Sequence, residues 1–174
     1  MLAAAVGAAM RKNGEEEIPV QVKNILPTQT GSGVFLGNEE KTIAIFVDPM
    51  VAMGIVMQLR RVKSPRPMTH DLIGNILAGL GAKVEKVVVN DLKDDTFYAR
   101  IYITQSNELG RCIIEVDARP SDSIAIALQQ GCPVYVSRKV WEKAEDMSWA
   151  LEKLENEGEG EGGEEGSGES GAGQ

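Results

Sequence analysis

The sequence has very little histidine, cysteine or aromatic residue. Its 174 residues include one histidine and two cysteines, and only 5% of them are aromatic. Cys112 and Cys132 stand 20 positions apart, and with a single histidine they cannot supply a Cys/His zinc site. The chain is also long enough to bury a sizeable core without a disulfide framework. These shortages exclude disulfide-rich and zinc-finger proteins.

Long hydrophobic runs are missing too. The longest uncharged, apolar-leaning stretches are residues 1–10 and 49–58, and both are well short of the ~20 residues that a membrane-spanning helix requires. Arg11 and Lys12 follow the first stretch instead of preceding it, unlike the charges of a secretory signal peptide. We therefore expect no membrane segment, a cytoplasmic location, and a flexible extension at residues 1–17.

Charge is distributed unevenly along the chain. The net charge is -8, and residues 155–174 hold seven glutamates and no basic residue, so the rest of the chain is close to neutral. A Gly/Glu-rich segment of this kind cannot bury apolar area and is predicted to be disordered. The expected organisation is an extension at 1–17, one domain at 18–154, and an acidic tail at 155–174.

Short apolar runs and alternating patterns predict a sheet. Gly37 to Glu40 have turn chemistry and should join two strands as a hairpin, and the three strands between residues 83 and 118 favour an antiparallel meander. The predicted strands are 18–26, 34–36, 42–47, 83–91, 96–104, 111–118 and 132–136.

About four helices are predicted between these strands. Asp48-Pro49 is a strong start signal for the first helix, Thr69 is expected to cap the second, and Gly131 should end the third. The first should extend to about Val62, the second to Leu80, and the last from Ser137 to about Leu154. Strand runs interrupted by helices indicate a single α+β domain with a mostly antiparallel or mixed sheet.

Two helices carry more apolar surface than one core requires. The first is apolar on nearly all sides between residues 49 and 59, so it should be largely buried or covered by a partner subunit. The last carries an apolar stripe too short for an independent coiled coil. We therefore predict a homo-oligomer, with a dimer as the favoured form. The stripe consists of Val140, Ala144, Met147, Leu151 and Leu154.

Chemistry-bearing residues gather in two polar clusters, residues 66–71 and 117–123, each at the start of a predicted helix. Free helix amides and a nearby arginine suit phosphate, aspartates can hold Mg²⁺ or Mn²⁺, and His70 can act as a general base or acid. An alternative stays open, in which these residues only satisfy the helix ends and pair with one another. No nucleotide-binding or metalloprotease motif, nucleophile elbow or dinucleotide fingerprint occurs.

Two further features are typical of nucleic-acid contact. Arg60, Arg61, Lys63 and Arg66, here called the basic patch, place four cations within seven residues, which suits phosphate binding. On the strand 96–104, two tyrosines flank Arg100 on one face and could stack on single-stranded bases. A half-exposed sheet face that binds nothing is the preferred explanation of the tyrosines, and the acidic tail opposes binding.

The sequence RPMTHDLIGNIL at residues 66–77, followed by IEVDARPSDSIAIAL at 114–128 and PVYV at 133–136, resembles the bifunctional nuclease domain family. These are small bacterial domains with plant relatives, named for nuclease activity on both DNA and RNA, and the resemblance extends from about Ile18 to Val140. It implies a nuclease that hydrolyses phosphodiester bonds in DNA or RNA with low sequence specificity. The alternative is a non-catalytic regulatory module that binds phosphate or a partner.

The resemblance also implies the site residues. The candidate catalytic residues are His70, Asp71, Asp117 and Asp122. Residue types alone, and not the resemblance, make the three aspartates the candidate ligands for Mg²⁺ or Mn²⁺. The resemblance adds the candidate substrate-binding residues Arg66, Thr69, Arg119 and Ser121, and the charge of the basic patch adds Arg60, Arg61 and Lys63.

Overall fold

A computed structural model describes residues 10–12, 15–108 and 110–160. These residues form eight strands and five helices, which confirms the α+β class. The strands are β1 (Met10–Lys12), β2 (Glu15–Thr28), β3 (Gly31–Gly37), β4 (Thr42–Val47), β5 (Ala82–Lys93), β6 (Thr96–Asn107), β7 (Gly110–Ala118) and β8 (Val134–Ser137). The helices are α1 (Pro49–Leu59), α2 (Thr69–Gly79), α3 (Pro120–Gln130), α4 (Arg138–Lys143) and α5 (Ser148–Gly160).

The strands join into one mixed sheet. Its order is β4-β3-β2-β8-β5-β6-β7, with β1 paired to β2. The β3–β4 hairpin and the β5–β6–β7 meander are antiparallel, as predicted. The pairing of β8 with β5 is parallel. Because β8 lies between β2 and β5, it joins the two antiparallel parts into one sheet.

The core lies between the sheet and the helices. Val87 and Val89 of β5 and Ile124 of α3 are fully buried. Seven of the eleven residues of α3 are buried, including its first two, Pro120 and Ser121. α3 packs against β5 and β6 on one side and against α1 and α2 on the other. This burial fixes the position of the α3 N-terminus.

Most helix-end signals act as expected. Asp48 accepts a hydrogen bond from the Met50 amide at 2.8 Å, and Gly131 ends α3 in the left-handed conformation with φ +67°. The predicted Thr69 cap is wrong, because Thr69 is the first helical residue and Met68 is the cap. The Asp71 carboxylate instead accepts the Met68 amide at 2.9 Å.

Two helices differ from the prediction in length. α1 ends at Leu59 instead of about Val62, and Arg61 beyond it has φ +52°. The single last helix is wrong as well, because Ala144 leaves the helical conformation with ψ 144°. A new helix then starts at Ser148, whose amide donates to the Asp146 carboxylate at 3.0 Å. The break gives five helices where four were expected.

Both ends of the described part of the chain are more regular than expected. Residues 10–12 and 15–17, expected to be flexible, pair antiparallel as β1 and the start of β2. Helix α5 continues to Gly160, so residues 155–160 are helical although disorder was predicted for them. The remainder of the predicted tail, 161–174, and residues 1–9 of the predicted extension lie outside the described residues.

Burial differs from expectation in two places. α1 buries only Ala52 and Ile55, while Met50 and Met53 are 80% and 57% exposed, so α1 is not largely buried within one chain and its cover by a partner subunit stays a prediction. Cys112 shares its alternation along β7 with Ile114 and Val116, a pattern that predicts a core residue, and this prediction is wrong because Cys112 is exposed. β7 is the last strand of the sheet order and is paired on one side only, so alternation along it does not imply burial. No helix in the described part of the chain is long and apolar enough to span a membrane.

The sheet face opposite α3 carries a buried ion pair. Lys86 of β5 bonds Glu17 of β2, and both residues are buried. The Lys86 ammonium lies 4.8 Å from the centre of the Tyr102 ring and 5.6 Å from that of Tyr135. Tyr102 faces Lys86 directly in the β5–β6 register. This pair therefore fastens the start of β2 to the middle of the sheet.

Candidate functional site

The two polar clusters of the sequence meet in space. His70 Nε2 lies 3.4 Å from Asp122 Oδ1, across 52 positions of sequence. His70 is the second residue of α2 and Asp122 the third of α3, so the contact joins the first turns of neighbouring helices. The two side chains are 22% and 32% exposed, which leaves both within reach of a ligand.

Arg119 completes a three-residue chain. Its Nε donates to Asp122 Oδ2 at 2.7 Å and its Nη2 to Asp122 Oδ1 at 3.1 Å. Two parallel bonds of this kind hold the carboxylate in one orientation. The Arg119 side chain is still 69% exposed, so the guanidinium keeps N–H groups for an anion outside the protein.

The hydrogen bonds among Arg119, Asp122 and His70 determine what His70 can do. A carboxylate only accepts hydrogen bonds, so the imidazole interacts with Asp122 best when Nε2 carries a proton. In the neutral ring Nδ1 is then an acceptor, able to take a proton from water or a hydroxyl group. The three residues thus place an oriented imidazole, with one nitrogen able to accept a proton, close to an exposed guanidinium.

The pKa of Asp122 lies below its ordinary value. Partial burial raises this pKa, but the hydrogen bonds and charge of Arg119, and then those of His70, lower it by more. The carboxylate is therefore ionised at neutral pH and can stabilise a protonated His70.

An open groove lies next to His70, Asp122 and Arg119, between α2 and the sheet. It has a volume of about 440 Å³. Its floor is aliphatic, and its polar residues come from the starts of α2 and α3 and from the end of β7. The floor consists of Ile73, Leu77, Ile101, Ile103, Val116 and Ile126, and the polar residues are Thr69, His70, Asp117, Arg119 and Asp122.

Asp71 has a different position from its neighbour His70. It accepts the Met68 amide at the start of α2 and a hydrogen bond from Gln129 Nε2 of α3 at 2.6 Å. The pKa of Asp71 is lowered, and the hydrogen bond from the Met68 amide is the largest cause. Partial burial raises this pKa, and the hydrogen bond from Gln129 lowers it further. In this structure Asp71 caps α2 and ties it to α3.

Two other candidate residues also differ from simple expectation. Ser121 is buried in the first turn of α3 at 6% exposure and does not line the groove beside His70. Asp117 is exposed and borders the groove, and it stands opposite Arg100 in the β6–β7 register. Neither residue belongs to the hydrogen-bonded chain of His70, Asp122 and Arg119.

The predicted metal ligands do not form one donor set. Within residues 10–12, 15–108 and 110–160, no group of three or more His, Cys, Asp or Glu side chains is placed to hold a metal ion. Asp71 is engaged by Met68 and Gln129, and Asp122 by Arg119 and His70. Asp71, Asp117 and Asp122 therefore do not fit a shared cation, and we derive no step through one. The cation stays a prediction.

The basic patch lies beside the site, partly in a second cavity. Arg61 and Lys63 line this cavity of about 500 Å³ together with Asp71 and Gln129. Thr69 and His70 line the groove, so the two cavities flank the first turn of α2. Arg60 and Arg66 are exposed nearby in sequence. The patch can therefore reach a long ligand that passes the His70 site.

Three residues outside the two polar clusters shape the site. Gln129 holds Asp71. At Gly54 of α1 an added Cβ would lie 3.8 Å from His70 Cε1, and at Gly74 of α2 it would lie 2.6 Å from Gln130 Nε2. Gly74 thus allows α2 and α3 to approach closely, as a glycine on a predicted helix leads one to expect. No local sequence signal marks Gly54 or Gln129, because each acts through a neighbour distant in the chain.

Comparison with known families gives this geometry a context. The family model of the bifunctional nuclease domain matches residues 34–148, a range that contains both polar clusters. The chain belongs to the bifunctional nuclease domain family. The groove and the chain of His70, Asp122 and Arg119 therefore lie inside the family domain.

Relatives of this bifunctional nuclease domain occur in bacteria and plants. Uncharacterized proteins of two Mycobacterium tuberculosis strains are each 38% identical over 107 residues, covering 62% of this chain and 61% of the relative. Bifunctional nuclease 1 of Oryza sativa subsp. indica is 26% identical over 117 residues, covering 67% and 33%. Bifunctional nuclease 2 of Arabidopsis thaliana is 24% identical over 114 residues, covering 66% and 32%. The chain thus spans less than two thirds of the length of these relatives.

Proposed function

We propose that this domain is a nuclease that hydrolyses phosphodiester bonds in DNA or RNA. The observation that carries the proposal is the hydrogen-bonded chain of His70, Asp122 and Arg119 at the edge of an open groove. Family membership and the names of the plant relatives support the reaction class. A cytoplasmic location, expected from the sequence, stays a prediction.

His70 acts as the general base in the proposed reaction. Its Nδ1 takes a proton from water as the water oxygen bonds to phosphorus, and the bond from phosphorus to the leaving oxygen breaks. Asp122 stabilises the imidazolium, and the leaving oxygen then receives a proton from His70 or from solvent. Arg119 lies where its free N–H groups can stabilise charge on the phosphoryl oxygens.

The groove favours low sequence specificity. Its floor is formed by aliphatic side chains such as Ile73, Ile101 and Val116, which offer no donors or acceptors to read the edge of a base. Such a floor can pack against any base or sugar. Phosphates along the strand would be bound by the basic patch on the other side of the α2 start.

The test is a cleavage assay on the purified full-length chain with end-labelled single-stranded DNA and RNA, with and without a chelator. His70→Ala should lower the cleavage rate by ~100-fold or more and leave folding intact. Glu39→Gln, a charge removal in the exposed turn between β3 and β4, is the matched control and should cleave at the normal rate, because Glu39 lines neither the groove nor the other cavity that Arg119 borders.

Other results point elsewhere. Binding of both nucleic acids without cleavage by any variant would favour the non-catalytic binding module. Unfolding of His70→Ala would favour a purely structural role for the two polar clusters. Full activity in a folded His70→Ala variant would contradict the proposed base.

A further inference from the structure

Strand β7 forms an edge of the sheet among the described residues. It pairs with β6 over nine residues without a register shift and ends the sheet order. Native proteins usually protect such an edge with a proline, charged side chains or a bulge. Gly110–Ala118 contains neither proline nor lysine, and its charged residues are Arg111, Glu115 and Asp117. No strand of the described part of the chain pairs with the outer edge of β7, so its outward N–H and C=O groups can pair with another strand.

Apolar side chains surround this edge. Ile114 and Val116, 41% and 39% exposed, share a sheet face with Ile103 and Ile101, which line the groove under α2. On α2, Gly74 and Asp71 face α3, so an apolar stripe on the opposite side of the helix points away from α3 and past β7. This stripe consists of Leu72, Ile76 and Leu80, which are 53%, 51% and 61% exposed.

We infer that β7 pairs antiparallel with β7 of a second copy of this chain, about a two-fold axis at Ile114. In this register Gly110 stands opposite Ala118 of the second copy, so the whole strand is paired. Arg111, which also donates a hydrogen bond to Glu85 of its own copy at 3.0 Å, stands opposite Asp117 of the second copy, and the same charge pair recurs by symmetry. Ile114 stands opposite its own copy, and the two apolar rows join on the helix side.

Neighbouring registers fit less well. Moving the axis to Glu115 places Glu115 opposite itself and Arg111 opposite Arg119, and both are unfavourable pairs of like charge. Moving it to Ile113 shortens the paired stretch to residues 110–116. Side chains alternate between the two faces of a sheet. The apolar side chains at even positions of the two copies therefore lie on the same face only when even-numbered residues stand opposite even-numbered residues.

The pairing has a consequence for the site. A two-fold axis perpendicular to the sheet keeps α2 and α3 of both copies on one face, so the two grooves open on the same side of the dimer. Arg111 of the second copy adds a cation beside Asp117, at the border of the groove. The dimer therefore offers one continuous surface with two sites to a nucleic-acid strand.

Sedimentation of the full-length protein at micromolar concentration tests the interface. Wild type should be a dimer, and Arg111→Glu should weaken it by about tenfold or more, since two attractive pairs become repulsive. Adding Asp117→Lys to Arg111→Glu should restore the dimer. Lys83→Glu, the same charge reversal at an exposed position of β5, should leave it unchanged. A monomeric wild type, or a dimer indifferent to Arg111→Glu, would overturn the proposal.

A cross-linking pair tests the register. In a Cys112→Ser background, the cysteine introduced by Ile114→Cys stands opposite its own copy, within the distance that a disulfide bridges. Mild oxidation should therefore join the subunits covalently. The cysteine introduced by Ile113→Cys stands opposite Glu115 of the second copy, two positions away from its own copy, and should cross-link far less. Preferential cross-linking of Ile113→Cys, or none in either folded variant, would overturn the register.

Discussion

Gln129 Nε2 of α3 donates a hydrogen bond of 2.6 Å to Asp71 Oδ1 of α2. This bond holds the residue beside His70 against the neighbouring helix. It separates the roles of two consecutive residues, because Asp71 positions the helix while His70 faces the groove. Asp71 should therefore act on the reaction through His70.

Asp71→Ala should cost about 1 kcal/mol of stability, as expected for a lost helix cap. It should lower cleavage by about tenfold, through displacement of His70, less than the ~100-fold loss expected for His70→Ala. Gln129→Ala should reproduce part of both effects. Urea unfolding and cleavage rates measure them. A large loss in Asp71→Asn, reversed by added Mg²⁺ and absent in Gln129→Ala, would instead identify Asp71 as a metal ligand.

Acid should weaken the contact of Asp122 with Arg119 and His70. The Asp122 pKa is lowered in the folded protein, below the value of about 3.9 for an unfolded chain. Its stabilising effect is therefore complete above about pH 4 and disappears as pH falls through the lowered pKa. Urea unfolding at pH 7 and at pH 3 should show a smaller difference between wild type and Asp122→Asn at the lower pH. A difference independent of pH would show that Asp122 gains nothing from its partners.

The buried pair of Lys86 and Glu17 allows a prediction about stability alone. Glu17→Gln should destabilise the protein by about 3–5 kcal/mol, because it leaves the Lys86 charge buried without its partner. Adding Lys86→Met should recover much of the loss by removing that charge. Chemical unfolding of the two variants measures this recovery. A double variant less stable than Glu17→Gln would mean that the pair itself stabilises the sheet.

Local signals predicted the parts of the fold that depend on few residues. Asp48-Pro49 starts α1, Gly131 ends α3, and the apolar run 42–47 is strand β4. The parallel position of β8 and the exposure of Cys112 depend on sheet order, which alternation along one strand does not contain. The break between α4 and α5 at Ala144 could not be predicted, because no proline or glycine stands there in the sequence.

In the candidate site, too, the sequence predicted some residues and could not predict others. Residue types indicated His70, Asp122 and Arg119, and the structure brings these three together. The tether from Gln129 and the burial of Ser121 depend on how α2 and α3 pack. Spacing in a single sequence carries no information about that packing.

The basic patch should determine how strongly binding depends on salt. Replacing Arg60, Arg61 and Lys63 by alanine should weaken binding of a single strand at low salt. The logarithm of the binding constant decreases linearly with the logarithm of the salt concentration. This dependence should become less steep, by ~0.7 in the magnitude of the slope, for each phosphate that the triple variant no longer neutralises. Fluorescence anisotropy over a salt series gives the slope. An unchanged slope would place the strand away from the patch, and cleavage of bound substrate by the triple variant checks that the His70 site is intact.

The central claim is that His70 and Asp122 act as one unit, and a double-mutant cycle on single-turnover cleavage tests it most directly. We expect His70→Ala to lower the rate constant by ~100-fold or more, Asp122→Asn to lower it by a similar or smaller factor, and the double variant to be no slower than His70→Ala. Thermal unfolding checks that all three variants fold. Losses that multiply in the double variant, or wild-type cleavage by a folded His70→Ala variant, would contradict the account.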